Sequence, residues 1–143
     1  MALYLQCFFC GRMVKAGEYR IMNYVILTNN PMVRELVTEK TKYEVDFIDG
    51  SVQDVLSKCE SVFLEGKHCL AADPMGGRRA RPFPYLTIIL EEGTAALTED
   101  WERIADYSVL NGKRMDQYVN NSERLNEDYR ILDCSLTKTA LKI

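Results

Sequence analysis

The chain has 143 residues, 47% of them hydrophobic and 27% charged, which is the composition of one globular domain. Its formal net charge of −3 argues against general nucleic-acid binding, because such binding depends on many lysines and arginines that neutralise phosphates. No apolar run approaches the roughly 20 residues that cross a bilayer, so we expect no membrane partner. The five cysteines, an odd number, indicate buried free thiols rather than a secreted disulfide framework, and they predict a cytoplasmic protein.

Residues 1–21 differ from the rest of the chain. They show no clear helical or strand period, and Met22 stands directly before a clean strand pattern. We interpret residues 1–21 as a non-native or disordered leader and residues 22–143 as a single α/β domain. Cys7 and Cys10 have the CxxC spacing of a redox site or of half a zinc site, but nothing supplies the other half. We therefore expect no cofactor.

The first half of the domain predicts alternating strands and helices. Three segments have the composition of strands: residues 24–27, 43–47 and 69–72. Asn30 suits the cap of a first helix and Pro31 its first position. Ser51 and Asp54 have the spacing of a capping box at the start of a second helix, which Gly66 ends as a left-handed cap. Because helices connect the three strands, we expect those strands to be parallel.

The second half begins with a loop over residues 73–84, which contains three prolines, two glycines and three arginines. Residues 85–92 predict a fourth strand, antiparallel to its neighbour because the connection holds no helix. Residues 98–121 predict mostly helix, and residues 129–136 predict a last strand. The expected fold class is therefore α/β: a three-layer, Rossmann-like βαβαβ core with a mostly parallel sheet, an antiparallel fourth strand, a C-terminal helix and a last strand.

Polar residues follow each of the first three strands. In a parallel α/β sheet such strand ends line up along one edge, where ligands usually bind. The loop over residues 73–84, which follows the third strand and which we call the third loop, adds paired glycines and arginines. Paired glycines let a backbone approach a ligand, and arginines bind a carboxylate or phosphate. For the residues after the first two strands, the alternative interpretation is helix capping. For the third loop, the alternative is an ordinary solvated loop with surface arginines. The candidate ligand-binding residues are Thr28, Asn29, Asn30, Asp49, Gly50, Ser51, Asp73, Gly76, Gly77, Arg78, Arg79 and Arg81.

Few residues suit catalysis. Asp73 ends a buried strand and is the candidate acid/base. His68 is the only histidine, and it precedes a strand at the opposite end from the polar edge, which argues against a Ser/His/Asp or Cys/His set. The third loop is neither a P-loop nor a dinucleotide fingerprint, since it lacks the Gly-Lys-Ser/Thr ending and opens no helix. No Cys/His/carboxylate spacing indicates zinc, so we expect no metal site.

The order of these motifs resembles a known family. The residues that carry the resemblance are Ile26-Leu27-Thr28-Asn29-Asn30-Pro31, Val45-Asp46-Phe47-Ile48-Asp49-Gly50-Ser51, Asp54-Val55-Leu56, Gly66-Lys67-His68, and Asp73-Pro74-Met75-Gly76-Gly77 with Pro84-Tyr85. They resemble the GrdX family, which is encoded beside glycine, sarcosine and betaine reductase components in anaerobic, amino-acid-fermenting bacteria. The resemblance runs from Tyr24 to about Glu92, with a weaker echo over residues 128–136. The family usually has His-Pro-Leu-Ser-Gly where this chain has residues 73–77, so any catalytic role of that histidine is lost here.

The resemblance implies a pathway context and no mechanism, and three functions stay open. The first is a small cytoplasmic accessory protein of the reductase system that binds a small anion, a carboxylate or phosphate, at the polar edge. The second is an enzyme acting on a phosphorylated or carboxylated metabolite, with Asp73 as acid/base and an arginine of the third loop as anion clamp. The third is a structural partner of a reductase subunit, marked by an exposed apolar patch. The sequence also leaves a homodimer open.

Overall fold

The computed structural model describes residues 23–72, 84–93, 99–114 and 122–143, together with two short strands over residues 4–6 and 13–15. In chain order the elements are β1 (Tyr4–Gln6), β2 (Met13–Lys15), β3 (Tyr24–Thr28), α1 (Pro31–Lys40), β4 (Glu44–Phe47), α2 (Val52–Leu64), β5 (His68–Leu70), β6 (Thr87–Glu92), α3 (Glu99–Arg114) and α4 (Glu123–Leu141). β1 and β2 pair with each other in an antiparallel two-stranded sheet. None of the helices in the described ranges has both the length and the apolar character that a bilayer span requires.

Strands β3 to β6 form one sheet in the order β4-β3-β6-β5. β4 lies parallel to β3, whereas β6 lies antiparallel to both β3 and β5. β5 therefore runs in the same direction as β3 and β4. The carboxyl ends of these three strands lie at the same side of the sheet as the amino end of β6, and we call this side the carboxyl edge.

The cap residues start both of the first two helices as predicted. The Asn30 side chain accepts a hydrogen bond from the backbone N of Met32, and Pro31 is the first residue of α1. Ser51 and Asp54 form the reciprocal capping box of α2. Gly66 follows α2 with a φ of 74°, the left-handed conformation that glycine adopts without a steric penalty. These caps place the amino ends of α1 and α2 directly after the carboxyl ends of β3 and β4.

Helices cover both faces of the sheet, which gives three layers. One apolar cluster joins the sheet to α2 and α3, and its fully buried members include Leu27, Val55, Leu56, Leu90 and Ile104. A second cluster joins the opposite face to α1 and α4, and it includes Ile26, Val33, Val37, Ile89 and Cys134. Successive strand residues such as Ile26 and Leu27 fall in different clusters because side chains alternate across a sheet.

The prediction of a mostly parallel sheet is wrong. The sheet is mixed, with one parallel pairing and two antiparallel pairings, and the Rossmann-like arrangement is not confirmed. The fourth strand is antiparallel as expected, and it lies between β3 and β5. β6 suits that central place because residues 87–91 are all buried.

The predicted last strand over residues 129–136 is also wrong, because α4 spans this segment. The buried residues of α4 are Asp133, Cys134, Thr137 and Leu141, and their spacing of one, three and four is that of one helix face. Because two of these four inward residues are polar, the positions of the apolar residues alone do not show the helical period. The apolar pattern therefore favoured a strand. The helix predicted over 98–121 is described as α3 from Glu99 to Arg114.

Candidate functional site at the carboxyl edge

Asn29 links three separate segments at the carboxyl edge. Its Nδ2 donates hydrogen bonds to the carbonyl oxygens of Gly50, at 3.1 Å, and of Pro84, at 3.2 Å. Its Oδ1 accepts a 2.9 Å hydrogen bond from the backbone N of Leu86. The loop after β3, the loop after β4 and the entry to β6 are therefore held together by one almost fully buried side chain.

Asn30 makes the corresponding links to the helices. Besides capping α1, it donates from Nδ2 to the carbonyl oxygen of Arg130, at 2.9 Å, and to Oδ2 of Asp133, at 3.0 Å. Asn30 is fully buried, and both hydrogens of its amide are donated to α4. The two consecutive asparagines thus fix loops on one side and a helix on the other.

Two threonines complete a buried chain of hydroxyl groups. The Thr87 hydroxyl donates to Oδ2 of Asp133 at 2.7 Å, and it lies 2.9 Å from the Thr28 hydroxyl. Because Thr87 has one hydroxyl hydrogen and gives it to Asp133, the Thr28 hydroxyl donates to Thr87. The Thr28 oxygen in turn accepts from the backbone N of Asn30 at 3.0 Å.

Asp133 is the buried carboxyl group of this edge. Burial raises its pKa above the ordinary value of an aspartate, while hydrogen bonds from Asn30 and Thr87 act in the opposite direction. Asp133 sits in an apolar run, Ile131-Leu132-Asp133-Cys134, and a lone carboxyl in such a run is a signal of a buried, hydrogen-bonded acid. Asp133 was not among the predicted site residues, because residues 129–136 were predicted to form a strand.

Arg130 and Tyr85 are two further residues at the carboxyl edge that were not among the predicted site residues. The Arg130 guanidinium donates from Nη1 to the Tyr85 hydroxyl at 2.8 Å, and from Nη2 to the Glu123 carboxylate. It also lies over the Tyr85 ring, 5.5 Å from the centroid. These hydrogen bonds, to Glu123 first and then to Tyr85, raise the pKa of Arg130, so the group is a permanent cation beside the carboxyl edge.

The loop between β4 and α2, residues 48–51, which we call the second loop, ends in the capping box of α2. A Cβ on Gly50 would collide with Oδ2 of Asp54, so a side chain there would have to displace the carboxylate that accepts from the backbone N of Ser51. Asp49 and Ser51 flank Gly50 and are exposed. The structure therefore brings Gly50 next to Asn29, as the sequence predicted, with the α2 cap as its local cause.

The structure does not describe the remaining candidate residues of the third loop, so their roles stay predictions. These residues are Asp73, Gly76, Gly77, Arg78, Arg79 and Arg81. His68 begins β5 opposite Glu92, at the far side of the sheet from the carboxyl edge. Its Nδ1 is buried and has no hydrogen-bond partner among the residues that the structure describes.

Three cysteines are buried free thiols as predicted: Cys59, Cys69 and Cys134. Burial, with smaller contributions from Glu60 and Asp100, raises the pKa of Cys59 to about 12. Burial also raises the pKa of Cys134. Neither thiol is a nucleophile at neutral pH. Cys7 and Cys10 lie outside the described residues, and within the described ranges no three His, Cys, Asp or Glu side chains are grouped as a metal ion would require.

Comparison with known proteins gave one match. The family model described as GrdX-like protein matches residues 25–142, from the second residue of β3 to the end of α4. No curated protein and no solved structure matched the chain.

Proposed function

The chain belongs to the GrdX-like protein family, and from this membership and the carboxyl edge we propose a small accessory protein of the glycine, sarcosine and betaine reductase system. In this proposal the protein binds a small anion, a carboxylate or phosphate, at the carboxyl edge. Thr28, Asn29 and Asn30 hold the edge in shape, and Asp49, Gly50 and Ser51 form its second side. The arginines of the third loop, Arg78, Arg79 and Arg81, supply the positive charge.

The observation that supports this proposal most directly is the position of Asn29. Its side chain binds the carbonyl oxygens of Gly50 and Pro84, so the second loop and the end of the third loop share one anchor. Pro84 is three residues after Arg81, and Ala72, which precedes Asp73, follows β5 at the same edge. Both ends of the arginine-bearing segment are therefore tied to the carboxyl edge, beside the amino end of α1. An anion there is favoured by the helix dipole and by guanidinium groups.

We favour ligand binding over catalysis because the Asp133 carboxyl group is already engaged within the protein. This carboxyl group is buried and already accepts hydrogen bonds from Asn30 and Thr87, so it is a structural acid rather than a general base open to a substrate. The enzyme alternative then rests on Asp73. An Asp73→Asn variant tests it, since turnover of a phosphorylated or carboxylated metabolite that depends on Asp73 would favour the enzyme.

The proposal is tested by calorimetry and thermal shift with glycine, acetyl phosphate and nucleotides. We expect at least one anion to bind, and we expect a triple variant with Arg78, Arg79 and Arg81 changed to alanine to lose that binding. A matched control changes Arg103 and Arg124, two exposed arginines on α3 and α4, to alanine and keeps the binding. A protein that responds to none of these compounds, or a triple variant that binds as the wild type does, would contradict the proposal.

A further inference from the structure

Arg130 is held at the carboxyl edge both by its backbone and by its side chain. Its carbonyl oxygen accepts the 2.9 Å hydrogen bond from Nδ2 of Asn30, which ties this turn of α4 to the start of α1. Its Nη1 donates to the Tyr85 hydroxyl at 2.8 Å, and the guanidinium lies over the Tyr85 ring. Tyr85 is itself fixed in place, because Asn29 binds both of the residues that flank it. The guanidinium therefore has a fixed position directly after the third loop.

This orientation leaves one pair of Arg130 donors for an anion. The Tyr85 hydroxyl takes Nη1, whereas Nε–H and the neighbouring Nη2–H point the same way and match the two oxygens of a carboxylate. Among the residues that the structure describes, Glu123 is the one side chain that accepts from this pair, through a hydrogen bond from Nη2. The Arg130 side chain is 18% exposed, so water screens an anion at this position less than on an open surface.

The Glu123 carboxylate shows what this position accepts. Glu123 is the first residue of α4 and lies two helical turns before Arg130, on the same face of the helix. Its side chain is 79% exposed. Exposed ion pairs contribute little, because each group is well solvated when they separate and pairing costs side-chain entropy. A carboxylate held in this way is replaced at little cost by the carboxylate of a ligand.

We propose that Arg130 binds the carboxylate of a ligand at the carboxyl edge, and that Glu123 is an intramolecular competitor for the same donors. This inference rests on the proposed function, because it adds a residue to the same anion site. It favours a carboxylate over a phosphate, since the group on these donors in the structure is a carboxylate. Binding is an exchange in which Glu123 leaves Nη2 for water and the ligand accepts from Nε and Nη2. Throughout the exchange Nη1 stays on the Tyr85 hydroxyl.

Calorimetric titration of the full chain tests the exchange, with glycine and acetate as carboxylate probes and acetyl phosphate as the phosphate probe. Glu123→Gln removes the competing charge, so we expect it to tighten carboxylate binding by about two- to fivefold, the range of an exposed ion pair. Asp128→Asn is the matched control, because Asp128 is exposed and lies two residues before Arg130, on the opposite side of α4. It should change the dissociation constant by less than about 1.5-fold, since exposed charges on opposite sides of a helix are largely screened from each other.

Substitutions of Arg130 test the other half of the exchange. Arg130→Lys keeps the positive charge but loses the paired donors, so it should weaken carboxylate binding by at least about tenfold. In an Arg130→Gln background, Glu123→Gln should give no further gain, whereas a general effect of charge would persist there. The NMR signal of the Arg130 Nε–H group should also shift when glycine is added to the wild type. That measurement needs no substitution, so it decides the matter even where an Arg130 variant does not fold.

The outcomes separate this inference from the proposed function. A wild type that binds none of the probes overturns both. Binding that is lost in the triple arginine variant of the third loop but unchanged in Glu123→Gln and Arg130→Lys overturns the inference and keeps the proposed function. Binding of acetyl phosphate alone does the same. An Asp128→Asn gain as large as that of Glu123→Gln also overturns the inference, because it would show a general effect of charge instead of competition for one guanidinium.

Discussion

Asn29 offers a sharp test of how the carboxyl edge is held together. Changing it to alanine removes three hydrogen bonds and leaves the backbone N of Leu86, which is 2% exposed, without an acceptor. A buried donor without a partner costs about 1–3 kcal/mol, and each lost hydrogen bond to Gly50 and Pro84 adds up to about 1 kcal/mol where water does not replace it. We therefore expect Asn29→Ala to lower the free energy of unfolding by about 2–4 kcal/mol.

Changing Asn29 to aspartate gives the same shape with a different charge. One carboxylate oxygen still accepts from Leu86, but the other faces the carbonyl oxygens of Gly50 and Pro84, which accept and cannot donate. Repulsion and burial therefore raise the pKa of the new carboxyl group in the folded protein. The unfolded chain then releases its proton first, so the variant loses stability as pH rises from about 4 to 7. Near pH 4 and below, the protonated form donates one hydrogen bond and the loss shrinks.

Urea unfolding followed by fluorescence measures both effects, since the chain has one tryptophan, Trp101, which packs edge-on against Phe63. Asn23→Asp is the matched control, because Asn23 is exposed and gains the same charge without facing buried carbonyl groups. We expect the free energy of unfolding of Asn29→Asp to fall increasingly below that of the wild type as pH rises. The free energy of unfolding of Asn23→Asp should keep a constant difference from the wild type over the same pH range. An Asn29→Asp variant that is as stable as the wild type at pH 7, or that shows no pH dependence of its own, would refute the reasoning.

Three further predictions concern single groups. The NMR signal of the Asp133 carboxyl carbon should report a pKa above the ordinary aspartate value of about 3.9. The free energy of unfolding of the wild type should fall as pH rises from that ordinary value through the raised pKa, because the unfolded chain loses this proton first. Gly50→Ala should cost about 0.5–2 kcal/mol by displacing Asp54 from its cap, and in a double-mutant cycle it should add almost nothing to Asp54→Ala; full additivity in chemical denaturation would contradict this. Cys59, with a pKa of about 12, should resist iodoacetamide at pH 8 in the native protein and react only after unfolding, as mass spectrometry would show.

The parts of the fold that the sequence predicted well are those with local causes. Asn30 with Pro31, and Ser51 with Asp54, act within one helical turn, so their residue types alone specify where α1 and α2 begin. The left-handed Gly66 after α2 is local in the same sense. Each of these features was predicted at the residue where the structure has it.

The order of the strands has a non-local cause, and it was predicted only in part. β6 pairs with β5, its neighbour in sequence, but it also pairs with β3, about 60 residues earlier. Its continuous apolar run, with Ile88, Ile89 and Leu90 in succession, is typical of a strand buried on both faces. β4 alternates acidic and apolar residues, as edge strands do. These two patterns are the signals that place β6 in the centre and β4 at the border.

Within the candidate site, the sequence predicted that Asn29 and Gly50 would lie together, but it did not show what those side chains are engaged in. Both hydrogens of each asparagine amide are donated within the protein, to Gly50 and Pro84 from Asn29 and to Arg130 and Asp133 from Asn30. An anion at the carboxyl edge therefore needs donors from backbone amides or arginines rather than from these amides. For that reason the asparagines should control stability and the loop arginines should control affinity, and the two sets of variants separate the scaffold of the edge from the site we propose upon it.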